Sequence, residues 1–145
     1  MNKIETWLNT KTDLGILALR IFIGIRVAIG TFDNIISWER MIEFSKFLEA
    51  TKFPAPIFCA VTSVYAQFIC ALLILIGYKT RFAAFILVLN FVVAIVMVHR
   101  KDSMEMMTPA LAILFICIAL LFIGSGKYAI EKMKPINQTN KNNDK

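Results

Sequence analysis

The chain has 145 residues, of which 58% are hydrophobic, and a formal net charge of +6. Its mean hydropathy is +0.67. A water-soluble domain could not bury this many apolar residues in its core. Most of the lysines and arginines flank apolar segments, where basic residues attract anionic lipid. We therefore expect the lipid bilayer, and no nucleic acid, as the partner of these charges.

Four long apolar segments predict an integral membrane protein, with spans at about 14–36, 57–77, 82–98 and 107–124. A helix needs about 20 apolar residues to cross a bilayer, with about 17 as a lower limit. Backbone groups in lipid must bond within their own segment, so the spans are predicted to be helices. A soluble helical protein is the alternative, but a soluble helix has one apolar stripe. The third segment is apolar all round except at Asn90, so we predict an all-α four-helix transmembrane bundle over residues 14–131.

The segment between the first two spans is amphipathic and contains several aromatic residues. Trp38, Phe44 and Phe47 are interleaved with charged residues at helical spacing, and Phe53 precedes a proline that disfavours further helix. This pattern predicts a short amphipathic helix lying in the membrane interface. Two interpretations remain open: a cap over the outer mouth of the bundle, or a simple connector.

The placement of basic residues predicts the orientation. If four spans alternate, residues 1–13, the 78–81 turn and the tail share one side, which carries nine basic residues against five on the other. The richer side is usually cytoplasmic. We therefore predict a multi-pass protein of the inner cell membrane with a cytoplasmic N-terminus, 1–13, and a disordered cytoplasmic tail, 132–145.

Polar residues near the span centres form the candidate ligand site. Arg26, Gln67 and Asn90 lie near the middle of the first three spans, and charged groups at that depth need a partner or a function. We predict that the Arg26 guanidinium donates to the two amide carbonyls, while Arg20, nearer the boundary, extends to the headgroups. The four residues would line a polar pocket for a quinone or a small oxyanion, or else only fix the helix register.

A second polar group is predicted at the outer mouth. It consists of Asp33, His99 and Glu105, with Asp33 reaching Arg26 through water or meeting His99 or Arg100 directly. His99 is the single histidine, and no Cys-x-x-Cys pair is present. These residues provide neither a zinc ligand set nor a dithiol centre, so we assign no catalytic residue and no metal site.

Four motifs resemble the DoxX family of small bacterial membrane proteins. They are Leu-Arg-Ile-Phe-Ile-Gly at 19–24, Gly-Tyr-Lys-Thr-Arg-Phe-Ala-Ala at 77–84, an alanine five residues before histidine at 94–99, and Gly-Ser-Gly-Lys-Tyr-Ala-Ile-Glu at 124–131. The chain departs from the family at Gln67, where relatives often carry a glutamate. If that acid handles protons in relatives, this chain lacks the function.

The resemblance implies a four-helix bundle and a loose connection to redox chemistry. Our leading expectation is an accessory subunit that supports quinone-linked chemistry through a redox partner protein, with quinone as the ligand. One alternative is a membrane subunit of a thiosulfate:quinone-type oxidoreductase, in which Arg20 and Arg26 attract the anion. Another is a small transporter or channel component. A homo-oligomer is compatible with each of these, and the sequence leaves enzymatic activity open.

Overall fold

The structure, a computed structural model, describes Trp7, residues 11–97 and residues 103–133. Six helices are defined within the two longer ranges. They are α1 (Thr12–Ile36), α2 (Trp38–Ala50), α3 (Pro56–Ile76), α4 (Thr80–Met97), α5 (Met104–Ile123) and α6 (Ile130–Met133). Helices α1, α3, α4 and α5 are each long and apolar enough to cross a membrane. The predicted all-α membrane bundle is confirmed, and its long helices begin and end within a few residues of the predicted spans.

The core lies where the four long helices meet. Ile23 of α1, Ala71 of α3, Leu87 of α4 and Leu120 of α5 are completely buried there. Large apolar side chains on the outside are exposed, as expected where lipid is the solvent. Examples are Phe22, Phe82, Phe115 and Phe122.

Helices α1 and α3 make the most extensive contact, and α1 and α5 make a much smaller one. Gly24 allows the close approach of α1 to α3. A Cβ atom at this position would lie 2.8 Å from the Cβ atom of Leu75 and 3.1 Å from the carbonyl oxygen of Ala71. Small residues let membrane helices approach in this way.

Helix α2 packs across α3 at the end of the bundle where α1 finishes, which we call the α2 end. Its buried residues Met41 and Leu48 contact Ala60 and Val64 of α3, and the Ser37 side chain caps its first turn. The opposite end, which holds the α3–α4 turn and the short helix α6, is called the α6 end. The sequence did not predict α6. Lys132 and Met133 belong to it, and the rest of the predicted tail lies outside the described residues.

Candidate functional site

Arg20 is buried at the α6 end, with 1% of its surface exposed. Its Nε donates to the carbonyl of Ile74 at 2.9 Å and its Nη2 to that of Leu75 at 3.0 Å. Its Nη1 donates to the carbonyls of Ser125 at 2.9 Å and Tyr128 at 3.1 Å. The expectation that Arg20 extends to the headgroups is therefore wrong, and four of its five N–H groups bind the protein's own backbone.

The reason lies in the end of α3. The last carbonyls of a helix have no partner within the helix, and a cation is favoured near them. Arg20 satisfies two of these carbonyls and also holds the segment that joins α5 to α6. The structure thus makes Arg20 a residue that ties three parts of the fold together, at a distance from the other candidate site residues.

Arg26 does not meet Gln67 or Asn90, so that predicted convergence is wrong. Its side chain is exposed and runs along α1, with Nη1 3.3 Å from where a Cβ atom on Gly30 would be. Arg26 is six residues after the buried Arg20, which places it about 120° around the helix from the core. The position of Arg26 near the middle of the span did not reveal the direction of its side chain.

Gln67 and Asn90 do meet, and they share Ser63 as a third partner. Gln67 Nε2 donates to Ser63 Oγ and to Asn90 Oδ1, each at 3.0 Å. Asn90 Nδ2 donates to Ser63 Oγ at 3.0 Å, and Ser63 Oγ donates to Asn90 Oδ1 at 3.2 Å. Sequence reasoning missed Ser63, although its position four residues before Gln67 puts both on one face of α3. We call these three residues the amide network.

The amide network lies in a groove of about 500 Å³ between α2, α3 and α4. Aromatic residues from α2 and from the segment that follows it form much of the wall: Phe44, Phe47 and Phe53, with Phe58 from α3. Thr62, Leu89 and Val93 also line the groove and are exposed on the surface of the bundle. Since that surface faces lipid, the groove is accessible from the membrane.

Three polar groups in the groove remain available to a ligand. An amide nitrogen carries two hydrogens, and only one hydrogen of Asn90 Nδ2 is used. In the part of the chain that the structure describes, the Thr62 hydroxyl has no hydrogen-bond partner and Gln67 Oε1 accepts no hydrogen bond. The groove therefore offers two donors and one acceptor in an otherwise apolar surface, which is the usual composition of a small-molecule site.

Of the predicted outer-mouth residues, the structure describes Asp33 and Glu105 but not His99. Asp33 on α1 and Glu105 in the first turn of α5 are both exposed. His99 and Arg100 lie outside the described residues, so the predicted contact of Asp33 with them stays a prediction. Among the described residues, the Asp33 carboxylate has no hydrogen-bond or ion-pair partner, although its backbone carbonyl accepts from the Ser37 N–H at 3.0 Å.

A family model named DoxX matches residues 15–100, which is more than half of the chain and covers α1 from its fourth residue through the end of α4. The chain belongs to the DoxX family. No curated protein and no solved structure matches it. The family match ends before α5, so the closing motif at 124–131 rests on the resemblance alone. Two carbonyls of that motif bind the Arg20 of this DoxX protein.

Proposed function

We propose that this DoxX protein is a membrane subunit that holds the head group of an isoprenoid quinone in the groove and supports a redox partner protein. In this proposal it resides in the bacterial inner membrane with both termini in the cytoplasm. The observation that carries the proposal is the groove itself: apolar, rich in phenylalanine, open toward lipid, and equipped with two free donors.

The chemistry of a quinone fits these groups. Its flat ring suits aromatic walls, and its two carbonyl oxygens can accept from Thr62 Oγ1 and from the free hydrogen of Asn90 Nδ2. The isoprenoid tail can remain in the bilayer, since Leu89 and Val93 at the margin of the groove are exposed. Gln67 Oε1 can accept from the hydroxyl group of the reduced form.

The lining residues of the groove are suited to binding and orientation. None of those that the structure describes is an aspartate, glutamate, histidine, lysine or arginine. A quinone bound in the groove would accept two electrons. In this proposal the partner protein supplies them. Neither Arg20 nor Arg26 lines the groove, and this favours a quinone subunit over one that also binds thiosulfate.

Replacing Thr62 with valine is the cleanest test, because it keeps the shape of the side chain and breaks no described hydrogen bond. We expect the Kd for decylubiquinone, measured by calorimetry in mild detergent, to rise about fivefold through the loss of one hydrogen bond. Asn90→Leu removes a donor and disrupts the amide network, so binding should weaken by about tenfold or more.

Thr108→Val is the matched control, since Thr108 lies on α5 outside the groove and bonds to the Met104 carbonyl. It should bind decylubiquinone like the unaltered protein. Absence of binding to the unaltered protein, or equal Kd values for Thr62→Val, Asn90→Leu and the control, would overturn the proposal.

A further inference from the structure

A second cavity, of about 440 Å³, lies at the α6 end between the start of α4 and the segment from α5 to α6. Lys79, Arg81 and Lys132 contribute three positive charges to its lining, and Glu131 contributes one negative charge. The Glu131 carboxylate accepts from the backbone N–H of Lys79 at 3.2 Å. The lining therefore keeps a net charge of +2, which favours an anion.

The first turn of α4 adds to this preference. The N–H groups of Thr80, Arg81 and Phe82 have no intrahelical acceptor, and none of them donates to another described residue. Such N–H groups, together with the helix dipole, favour a bound anion. Arg81 is held beside them, because its Nη2 donates to the Phe122 carbonyl at 3.2 Å and its side chain lies across Gly124.

Thr80 gives an independent indication of a missing partner. Its side chain is 1% exposed and lines the cavity. Within the described ranges, its Oγ1 is the one buried side-chain nitrogen or oxygen without a hydrogen-bond partner. Buried polar groups are nearly always hydrogen-bonded, so a ligand with acceptor oxygens in this cavity would resolve the exception.

We propose that the cavity binds the phosphate group of an anionic phospholipid. Phosphate oxygens match both the guanidinium of Arg81 and the ammonium groups of Lys79 and Lys132. The apolar lining distinguishes a lipid from a free anion. Phe82 and Ile123 line the cavity and are exposed on the bundle surface, where an acyl chain can lie against them.

Native mass spectrometry with phosphatidylglycerol tests the charged groups. We expect the double variant Arg81→Gln with Lys132→Gln to bind this lipid at least about tenfold more weakly than the unaltered protein. The control removes the same charge at the same end through Lys11→Gln with Lys127→Gln, two exposed lysines outside the cavity. Equal losses in both double variants would overturn the site, since general attraction to basic residues would explain them.

Thr80→Val separates a ligand contact from a structural role. Removing an unpaired buried hydroxyl should leave the melting temperature of the lipid-free protein unchanged or higher, while binding of phosphatidylglycerol weakens. A lower lipid-free melting temperature would mean that the hydroxyl has an internal partner, against the proposal. The melting temperature is also measured with inorganic phosphate and with glycerol phosphate. If either stabilises the protein as much as phosphatidylglycerol does, the proposal that the ligand is a lipid is overturned.

A different observation concerns the exposed face of α1. Arg26, Gly30 and Asp33 lie on one face at intervals of four and three residues, and all three are exposed. Neither charged group has a hydrogen-bond or ion-pair partner among the described residues. Arg26 lies near the middle of α1, whereas Asp33 lies in its last turn. A charged side chain that faces lipid near the centre of a span is unfavourable, so a partner that covers Arg26 would stabilise the protein.

We infer that a second copy of the chain covers this face. The Arg26 guanidinium already lies beside Gly30, and Asp33 is three residues, or about 4.5 Å, farther along the axis. In a parallel two-fold pair, the Arg26 guanidinium, which lies at the level of Gly30, reaches toward Asp33 of the other copy. One surface thus supplies both halves of a self-complementary interface.

Charge exchange tests this interface. We expect Arg26→Asp alone and Asp33→Arg alone to weaken dimerisation by about tenfold or more, because like charges then face each other. The combined Arg26→Asp with Asp33→Arg variant should restore it. Photobleaching of single molecules in liposomes, at a series of protein-to-lipid ratios, counts the copies. A monomeric unaltered protein, or a double variant as weak as the single ones, would overturn the inference.

Discussion

Arg20→Met should lower the free energy of unfolding by roughly 3–5 kcal/mol, because it removes charge-assisted hydrogen bonds and each buried carbonyl left without a donor costs about 1–3 kcal/mol. The substitution leaves the carbonyls of Leu75, Ser125 and Tyr128 without their donor, while the Ile74 carbonyl keeps the Gly77 N–H at 3.1 Å. Thermal unfolding in mild detergent, followed by circular dichroism, measures the effect. The segment from α5 to α6 should also become more sensitive to proteolysis, because two of its carbonyls lose their link to α1.

Arg20→Lys is the matched control, since it keeps the positive charge. A single ammonium group has three donors on one atom and cannot reproduce the spread of the guanidinium. Its stability should lie between those of the unaltered protein and Arg20→Met. A melting temperature of Arg20→Met equal to that of the unaltered protein would show that water replaces the arginine without loss.

The second large effect is expected at Gly24, where α1 and α3 are closest. Gly24→Ala places a Cβ atom 2.8 Å from the Cβ atom of Leu75, so the helices must move apart. Overpacking of this kind costs about 1–3 kcal/mol, which outweighs the better helix propensity of alanine. The measurement is again the free energy of unfolding in mild detergent.

Gly15→Ala on the same helix provides the comparison. A Cβ atom at Gly15 has no neighbour within 4 Å, so the exchange should be neutral or slightly stabilising. If both variants lose the same stability, the close approach at Gly24 contributes nothing specific, and flexibility of the glycine backbone would be the simpler explanation.

The four spans could be predicted because lipid imposes a length and an all-round apolar surface on each helix. The same reasoning placed α2 through its amphipathic pattern. It missed α6, a helix of four residues, which is too short to show any periodicity. Its neighbour Ala129 is completely buried, so tertiary contacts rather than local sequence hold this segment.

The helices that carry the site residues could be predicted, but the directions of their side chains only in part. Gln67 and Asn90 were placed together correctly, since each lies mid-span on helices that are adjacent in the chain. Arg26 was placed wrongly because the depth of a residue does not say which way its side chain points. The groove also depends on α2 packing across α3, a contact that the sequence of neither helix specifies alone.

Arg20 shows why the remaining errors arose. Its expected extension to the headgroups came from its distance to the nearest span boundary. Its actual partners are backbone carbonyls. Every residue type has one, so no pattern of side chains in the sequence predicts which carbonyls Arg20 binds. Two of them lie more than fifty residues away, and the other two more than a hundred.

The distance between Arg20 and its last acceptors also bears on biosynthesis. Ser125 and Tyr128 follow Arg20 by 105 and 108 residues. A nascent chain emerges from the ribosome N-terminus first, so the first helix can enter the bilayer well before these two carbonyls have been made. The guanidinium must rely on water or lipid phosphates during that interval. Closure of the bundle around Arg20 is thus one of the last events of its assembly.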